Sequence, residues 1–246
     1  MLSKTIVKYI QSLAHKKVRD TNGVFIAEGP KVIHEFLSSN IFTCKIICGL
    51  QDWITENENL IQKNNPENKE VIAEIELEKI SQLQTPNKVL GVFYKKVDPE
   101  IIIAGNISLM LDDIRDPGNL GTIIRTADWF GIKNVICSNE CVDFYNPKVV
   151  QSSMGSILRV NVMYTQLEEF INNNRGINMY AATLSGMPLS SFTKIKEGII
   201  LIGNESKGIK ENLLSMVIEK ITIPKHGEAE SLNAAVACGI ILSQII

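Results

Sequence analysis

Residues 109–131 read LMLDDIRDPGNLGTIIRTADWFG, and this stretch predicts a buried strand, a tight turn and a helix. The apolar start ends in two aspartates, and Asp116 followed by Pro117 is typical of the first turn of a helix. Beyond the turn, apolar residues recur at helical spacing until a glycine ends the pattern. Asn119 lies in the turn and Arg125 on the polar face of the helix. Ligands of open α/β sheets bind beyond the carboxyl ends of strands, so both side chains are candidate site residues.

Taken alone, this stretch could equally be an ordinary αβ unit with a solvated surface arginine, but two later stretches favour a site. Residues 199–209, IILIGNESKGI, predict an apolar strand that runs into a loop containing Gly203 and Glu205. Residues 221–246, ITIPKHGEAESLNAAVACGIILSQII, predict a short strand, a polar loop and a long apolar helix that begins at Ser231. Glycines after a strand let the backbone approach a ligand, and a helix start offers N–H groups to an anion.

Strands and helices alternate along the whole chain, which predicts an α/β fold with a mainly parallel sheet in the second half. The other strands expected in that half include residues 134–138, 160–163 and 179–183, and helices are expected over residues 147–153 and 167–173. The first half predicts a small α/β sandwich, with a helix over residues 2–17, a helix and a loop over 54–70, and strands over 24–27, 44–48, 71–73 and 89–94. Asp-Pro and Gly-Asn pairs indicate a linker over residues 98–106, so the expected domains are residues 1–97 and 107–246.

Composition and charge narrow the class of protein. The chain has 246 residues, of which 45% are hydrophobic and 21% charged, and its formal net charge is −2. Nucleic-acid binding would therefore need a local basic face rather than an overall positive charge. The N-terminus lacks a signal-peptide pattern, and the longest apolar run is shorter than the ~20 residues that a membrane span needs. We therefore predict a cytoplasmic protein without a membrane partner.

The cysteine and glycine patterns argue against a metal site and against a Rossmann nucleotide site. None of the five cysteines forms a C-x-x-C pair, and none of the three histidines is next to one, so buried reduced thiols are expected and a metal site is not. No G-x-G-x-x-G follows the first strand of the second half, which disfavours a Rossmann nucleotide site.

The order DPGNLGTIIRTADWFG, LIGNESKGI, IPKHGEAESLNAA resembles the three sequence motifs of the SpoU (TrmH-type) family of RNA 2′-O-ribose methyltransferases, within the SPOUT superfamily. Near the N-terminus, KKxR followed by GxFxxEGxKxxxE resembles the start of the L30e-like substrate-binding domain that is often fused to such enzymes. The resemblance implies S-adenosyl-L-methionine as cofactor and RNA, not DNA, as partner, with ribosomal RNA favoured over transfer RNA. It also implies a deep trefoil knot in the second domain, an exception to the rule that chains are unknotted.

The resemblance also implies roles for particular residues. Five polar residues would act in catalysis: Asn119, Arg125, Glu205, Ser231 and Asn233. Backbone groups at strand ends and loops would hold the cofactor: Gly203, Ile223 and Leu232, with Thr183 and Leu184 as further candidates. A basic cluster would contact RNA phosphates without reading sequence: Lys16, Lys17 and Arg19.

Methylation of a ribose requires its 2′-hydroxyl oxygen to attack a methyl sulfonium in line and to lose its proton. The family resemblance suggests that Arg125 assists this deprotonation. An arginine pKa above ~12 makes a neutral guanidine very rare, so Arg125 could instead bind a substrate phosphate and stabilise the developing alkoxide by its charge. Both roles stay open.

Three alternative functions and one oligomeric state are compared with the sequence pattern. A catalytically inactive RNA-binding protein of the same fold is disfavoured by the presence of all five polar residues. An enzyme for a small nucleotide is disfavoured by the missing glycine fingerprint and the separate first domain, and a methyltransferase acting on a base stays open. The apolar C-terminal helix, with its small residues and with Trp129 nearby, predicts a homodimer, and a monomer whose first domain covers this helix is the alternative. The family resemblance implies that the site lies near the dimer interface, where Arg125 of one chain could serve the cofactor of the other.

Overall fold

The computed structural model describes residues 2–96, 101–217 and 219–246. It divides into two compact units, the first with the described residues up to 96 together with Tyr145–Leu158, the second with residues 101–144 and Arg159–Ile246. The domain boundaries expected at 97 and 107 stay a prediction, and residues 98–100 of the expected linker lie outside the described part of the chain.

The strands of the described residues are β1 (Val24–Glu28), β2 (Cys44–Gly49), β3 (Asn68–Val71), β4 (Val89–Tyr94), β5 (Ile107–Leu111), β6 (Asn134–Ser138), β7 (Asn161–Thr165), β8 (Met179–Pro188), β9 (Gly198–Ile202) and β10 (Glu219–Thr222). The helices are α1 (Lys4–Ser12), α2 (Lys16–Asn22), α3 (Pro30–Ser39), α4 (Gln51–Glu56), α5 (Glu58–Asn64), α6 (Glu74–Ile80), α7 (Pro117–Trp129), α8 (Pro147–Ser152), α9 (Leu167–Asn173), α10 (Glu211–Leu214) and α11 (Ala234–Ile245).

The first unit is built on a four-stranded sheet in the order β1-β4-β2-β3. Strand β4 is antiparallel to β1 and β2, and β3 is parallel to β2. Three of the four expected strands coincide with β1, β2 and β4 to within a residue. The fourth, β3, starts earlier than expected, and the single helix expected after residue 54 is two short helices, α4 and α5.

The single helix expected over residues 2–17 is also wrong, because the chain turns between α1 and α2. The guanidinium of Arg19 explains this break. Its Nη1 donates to the carbonyl oxygens of Leu13 and Ala14, at 2.9 and 2.8 Å. Carbonyls at the end of a helix lack a partner within the helix, so this side chain supplies one where α1 ends.

A segment from the middle of the chain, Tyr145–Leu158, packs within the first unit. The ring of Tyr145 lies 4.7 Å from that of Phe25, centroid to centroid, and its hydroxyl accepts the N–H of Lys96 at 3.2 Å. Gly155 packs so closely on α3 that a Cβ there would lie 2.2 Å from a carboxylate oxygen of Glu35. The helix of this segment was expected in the second domain.

The second unit is built on a six-stranded sheet in the order β10-β8-β9-β5-β6-β7, and every neighbouring pair is parallel. The predicted α/β fold with a mainly parallel sheet is therefore confirmed. Strands β5 and β9 are neighbours in register, with Leu111 opposite Ile202. The two loops that follow these strands consequently begin side by side at one edge of the sheet.

Two helices of this unit position candidate residues, α7 in its own length and α11 at its cap. Helix α7 begins at Pro117 after the cap residue Asp116, as the sequence predicts, and packs against α11. Helix α11 begins at Ala234 instead of Ser231, because Asn233 is its cap: Oδ1 of Asn233 accepts the N–H groups of the second and third helical residues.

The cysteines agree with the expectation of buried thiols, since all five are buried and free of disulfides. Burial raises the pKa of the Cys238 thiol to about 12, so this side chain is an inert apolar group of α11. Among the helices of the described residues, none is long and apolar enough to cross a membrane.

Candidate active site

The candidate active site lies at the carboxyl edge of the second sheet, where the loops after β5 and β9 meet the start of α11. The carboxylate of Asp116 accepts the N–H of Asn119 at 2.8 Å, which caps α7. This cap holds Asn119 in the first turn of the helix, close to the end of β5. A helix start at this edge is the usual place for a ligand in an open α/β sheet.

Three of the predicted catalytic residues form a continuous line of side-chain hydrogen bonds. Nδ2 of Asn119 donates to a carboxylate oxygen of Glu205. Oδ1 of Asn119 accepts Nδ2 of Asn233 at 2.9 Å. Because Asn233 also caps α11, the line connects the loop after β9 to the starts of both helices. It therefore joins all three sequence motifs.

A fourth predicted residue, Ser231, contacts the backbone of Glu205, which belongs to this line. Its hydroxyl donates to the carbonyl oxygen of Glu205 at 3.4 Å, which is a long hydrogen bond. Ser231 is exposed and lies before α11 rather than at its cap. The structure thus places this residue beside the loop of Glu205.

Arg125, the fifth predicted residue, is not part of this line. It is exposed on α7, and within the described part of the chain it makes no hydrogen bond or ion pair. Arg125 lies six positions beyond Asn119 on this helix, or about 9 Å along the helix axis. The guanidinium is therefore available to a group that is not part of this chain.

The predicted cofactor residues are spread over several elements. Gly203 and Ile223 follow β9 and β10 directly, Leu232 lies before α11, and Thr183 and Leu184 lie inside β8, which runs on to Pro188 instead of ending at 183. A Cβ at Gly203 would lie 2.3 Å from the carbonyl carbon of Gly208, so only glycine fits. The hydroxyl of Thr222 donates to the carbonyl of Leu184 at 3.2 Å, which connects the end of β10 to the middle of β8 beside Ile223.

The exposed side chains at this edge fit an adenosine-containing cofactor. Leu184 is 80% exposed and Leu232 is 43% exposed, although both are large and apolar. A purine ring prefers apolar surface of this kind, while nearby backbone groups can bind its polar edge. Thr183 is half-buried, and its hydroxyl is used locally, donating to the carbonyl of Ser185 at 2.6 Å.

The basic cluster of the first unit contains one wrong prediction. Lys16 and Lys17 are exposed in the first turn of α2, as expected for residues that contact RNA. Arg19 is only 1% exposed, and its guanidinium binds the carbonyls at the end of α1. A side chain that is buried and used in this way has no access to an RNA phosphate, so Arg19 is a structural residue.

Two residues that sequence reasoning missed hold the loop after β9. Asn204 binds the backbone of Asp113, and the carboxylate of Asp112 binds the backbone of Lys210. Asn204 could have been noticed as a turn-forming residue between Gly203 and Glu205. No pattern in the sequence indicates that Asp112 would be fully buried with its carboxylate used in this way.

Comparison with known proteins identifies the family of the chain. Residues 106–243, more than half of the chain, match the SpoU rRNA Methylase family. Residues 4–91 match the MRM3-like substrate binding domain. The protein therefore belongs to the SpoU rRNA methylase family. The family predicted from the three motifs is confirmed, and with it the class of enzyme, an RNA methyltransferase.

Similar proteins span the same length. The 23S rRNA (guanosine(2553)-2′-O)-methyltransferase of Bacillus subtilis strain 168 is 28% identical over 240 residues, which cover 96% of this chain and 94% of that one. A putative RNA methyltransferase of the TrmH family from Porphyromonas gingivalis is 32% identical, with a TM-score of 0.85 and coverage of 99% and 98%. The AdoMet-bound rRNA methyltransferase of Sinorhizobium meliloti is 31% identical, with a TM-score of 0.89 and coverage of 100% and 96%.

Proposed function

We propose that this protein transfers the methyl group of S-adenosyl-L-methionine to a ribose 2′-hydroxyl of ribosomal RNA. The observation that carries the proposal is the line of contacts Glu205–Asn119–Asn233, which joins the three family motifs at the carboxyl edge of the sheet. The similar proteins from Bacillus subtilis and Sinorhizobium meliloti, named as rRNA methyltransferases, support the same activity, substrate and cofactor.

The cofactor supplies an electrophilic methyl group on a sulfonium. The backbone at Gly203, Ile223 and Leu232 would hold it, and the exposed side chain of Leu184 offers apolar surface for it. Glu205 is a negative charge near this pocket and is oriented by the amide of Asn119. A carboxylate in this place fits the positive charges of the methionine end of the cofactor.

Arg125 acts on the RNA by its charge. Its guanidinium is exposed and has no partner among the described residues of the chain, so it can bind a substrate phosphate or the alkoxide that develops at the ribose. Stabilisation of developing charge by a fixed cation lowers the barrier without a neutral arginine. A guanidinium stays protonated at neutral pH, which disfavours the alternative role as a base, so the proton of the 2′-hydroxyl passes to solvent as the methyl group is transferred.

The first unit supplies binding energy through Lys16 and Lys17. Both occupy the first turn of α2, where the helix dipole disfavours positive charge and acidic residues are usual. A pair of exposed cations kept at such a position fits an anionic partner, and RNA phosphates are the anions of the proposed substrate.

A homodimer is part of this proposal. Trp129 on α7 is 86% exposed and Val236 on α11 is 50% exposed, and these two helices pack against each other. Large apolar side chains on adjacent helices form a surface that a second copy of the chain would cover. Light scattering at micromolar concentration should then report about twice the 27.4 kDa chain mass, and the chain mass alone would contradict the dimer.

Three further expectations extend the proposal. The family resemblance supports a deep trefoil knot in the second domain, and similarity to rRNA methyltransferases supports a cytoplasmic location. The match of residues 4–91 supports a first domain that binds the substrate.

The direct test uses ribosomal RNA from cells that lack the gene. This RNA is incubated with the purified protein and radiolabelled S-adenosyl-L-methionine, digested to nucleosides and analysed by mass spectrometry. We expect one nucleoside that carries a 2′-O-methyl group. A nucleoside methylated on its base would show that the methyl acceptor is the base and not the ribose. Absence of any methyl transfer to ribosomal RNA would contradict the proposed function.

A further inference from the structure

The loop of residues 203–210 is tied at its first end to the backbone just beyond β5. Nδ2 of Asn204 donates to the carbonyl oxygen of Asp113 at 2.8 Å. Oδ1 of the same amide accepts the N–H groups of Ser206 and Lys207, at 3.0 and 3.1 Å. One side chain therefore shapes the loop from inside and also connects it to the neighbouring strand.

The second end of the loop is tied to the same strand by Asp112, whose side chain is fully buried. One carboxylate oxygen accepts the N–H of Lys210 at 2.8 Å. The other accepts no hydrogen bond from the described residues and lies 3.4 Å from the Lys210 ammonium. Burying a carboxylate with an incomplete set of hydrogen bonds is costly, so stability alone is a poor reason for this residue.

The ammonium of Lys210 completes this anchor. It lies 3.4 Å from Asp112 and also 3.4 Å from the carboxylate of Glu140. Burial opposes its charge, but the two carboxylates outweigh burial and raise the pKa of Lys210. The lysine therefore stays charged and keeps the end of the loop against β5.

The backbone that receives Asn204 is itself held in an unusual conformation. Asp113 has φ +57°, in the left-handed region that non-glycine residues rarely adopt. Its N–H donates to the hydroxyl of Ser138 at 3.0 Å in the buried end of β6. Such a conformation costs of order 1 kcal/mol or more and persists only where the surroundings enforce it.

Between the two anchors lies Glu205, the carboxylate that Asn119 contacts. We propose that Asn204 is a positioning residue for methyl transfer, with Asp112 as the second anchor, and that together they hold Glu205 against Asn119. This inference rests on the proposed function, because it assigns a task to Glu205 in that reaction. Gly203 is attached directly to β9, so the anchors act on Glu205 more than on the cofactor-binding backbone.

The test uses the substitution Asn204→Asp in the full-length protein. Aspartate keeps an oxygen for the two N–H groups inside the loop but replaces the donor to Asp113 by a second acceptor. We expect kcat per folded protein to fall by about tenfold or more, while KM for S-adenosyl-L-methionine changes by less than about threefold. Asn212→Asp, the same change at an exposed position of α10, should leave kcat within about twofold.

A double-mutant cycle with Glu205→Asp separates positioning from a general structural role. If Asn204 acts through Glu205, adding Asn204→Asp to Glu205→Asp should lower kcat by less than about twofold further. Two losses that multiply in the double variant would overturn the inference, because Asn204 would then act independently of Glu205.

The outcomes distinguish this inference from the proposed function. If the wild-type protein shows no methyl transfer, the proposed function is wrong. If the wild type is active and Asn204→Asp is equally active, only the positioning role is wrong. If Asn204→Asp does not fold, Asp112→Asn takes its place, since it keeps the shape of the side chain and removes the charge that faces Lys210. A fall in kcat at constant KM for the cofactor supports the inference, and an unchanged kcat overturns it.

Discussion

Two regions of the molecule, the carboxyl edge of the second sheet and the basic turn of residues 15–19, show opposite relations between distance along the chain and proximity in space. At the edge, Asn119 and Asn233 are 114 residues apart in the chain and yet share a hydrogen bond. In the turn, Lys17 and Arg19 are two residues apart, and one is exposed while the other is buried. Distance along the chain is thus a poor guide to which side chains act together.

The reason lies in the geometry of the two kinds of element. Parallel strands bring their carboxyl ends to one edge, so polar residues that follow different strands converge whatever their separation in sequence. On a helix, residues two positions apart point about 200° away from each other. A polar motif after a strand is therefore a stronger sign of a site than a run of like charges on a short helix.

The largest effect is expected from Arg125→Ala, which tests whether the exposed guanidinium beside the edge takes part in the reaction. Methyl transfer should fall by about 100-fold or more, the usual loss when a fixed charge that stabilises a transition state is removed. Binding of S-adenosyl-L-methionine, measured by calorimetry, should stay nearly unchanged. Arg175→Ala, at an exposed arginine of the same unit, is the matched control, and full activity of Arg125→Ala would end the assignment.

The next effect compares the two kinds of residue in the basic turn. Arg19→Met should lower the free energy of unfolding by about 2 kcal/mol or more, because a buried charged donor to two carbonyls is lost. The double substitution Lys16→Ala, Lys17→Ala should leave stability nearly unchanged. It should instead reduce the salt dependence of RNA binding by about one slope unit for each phosphate contact.

These two effects are measured by urea unfolding and by RNA titration at several salt concentrations. The comparison fails if the lysine variants bind RNA with the same salt slope as the wild type. It also fails if Arg19→Met is as stable as the wild type and has lost the salt dependence.

Gly203→Val tests the close backbone contact between Gly203 and Gly208 at the carboxyl edge of the second sheet. The new side chain would collide with the backbone of Gly208, so the loop must move and cofactor affinity should fall by ~10-fold or more, equivalent to ~1.4 kcal/mol. Gly176→Val is the control, because a Cβ there meets no atom within 4 Å. Calorimetry that gives equal affinity for Gly203→Val and the wild type would place the pocket elsewhere.

The smallest effect concerns a buried carboxylate of the first unit. Burial raises the pKa of Glu28 above its ordinary value of 4.5, against the hydrogen bonds from Ser81 and Gln82. A raised folded-state pKa favours the folded state below the unfolded value, and this contribution is lost as pH rises through the folded value. The wild type should therefore lose stability relative to Glu28→Gln between pH 4 and pH 7.

Urea unfolding of both proteins at the two pH values measures this difference. Glu78→Gln, the same substitution at an exposed position of α6, is the matched control. A difference between wild type and Glu28→Gln that is constant over this range would contradict the assignment.

Local patterns predicted most elements but not the unit in which each one packs. The strand Asn134–Ser138 and the helix Leu167–Asn173 have the expected bounds, because apolar spacing and turn residues within a few positions determine them. The helix Pro147–Ser152 was also predicted, but its place beside β1 depends on contacts of Tyr145 with Phe25 and Phe42. A chain that begins near residue 103 would lose these partners, so truncation is a poor way to isolate the second unit.

The residues of the candidate site also fall into two groups, those that the sequence indicates and those that it does not. Asn119, Glu205 and Asn233 could be chosen from the sequence, because their motifs have recognisable residue types and order. The roles of Asn204 and Asp112 could not, since each depends on an atom contributed by a distant loop. The burial of Arg19 was missed for a different reason: the carbonyls that bind it belong to the nearby Leu13 and Ala14, but they are free only because α1 ends there.

The sequence by itself determined the strand–turn–helix units, the cap at Asp116 and the family to which the three motifs belong. These depend on residue types and on interactions within a few positions of the chain. Only the tertiary structure decided that β5 lies beside β9, and hence that Asn204 and Asp112 anchor the loop that carries Glu205. Strand order is set by how whole elements pack, and hydrophobic spacing along one strand carries no information about which strand will be its neighbour.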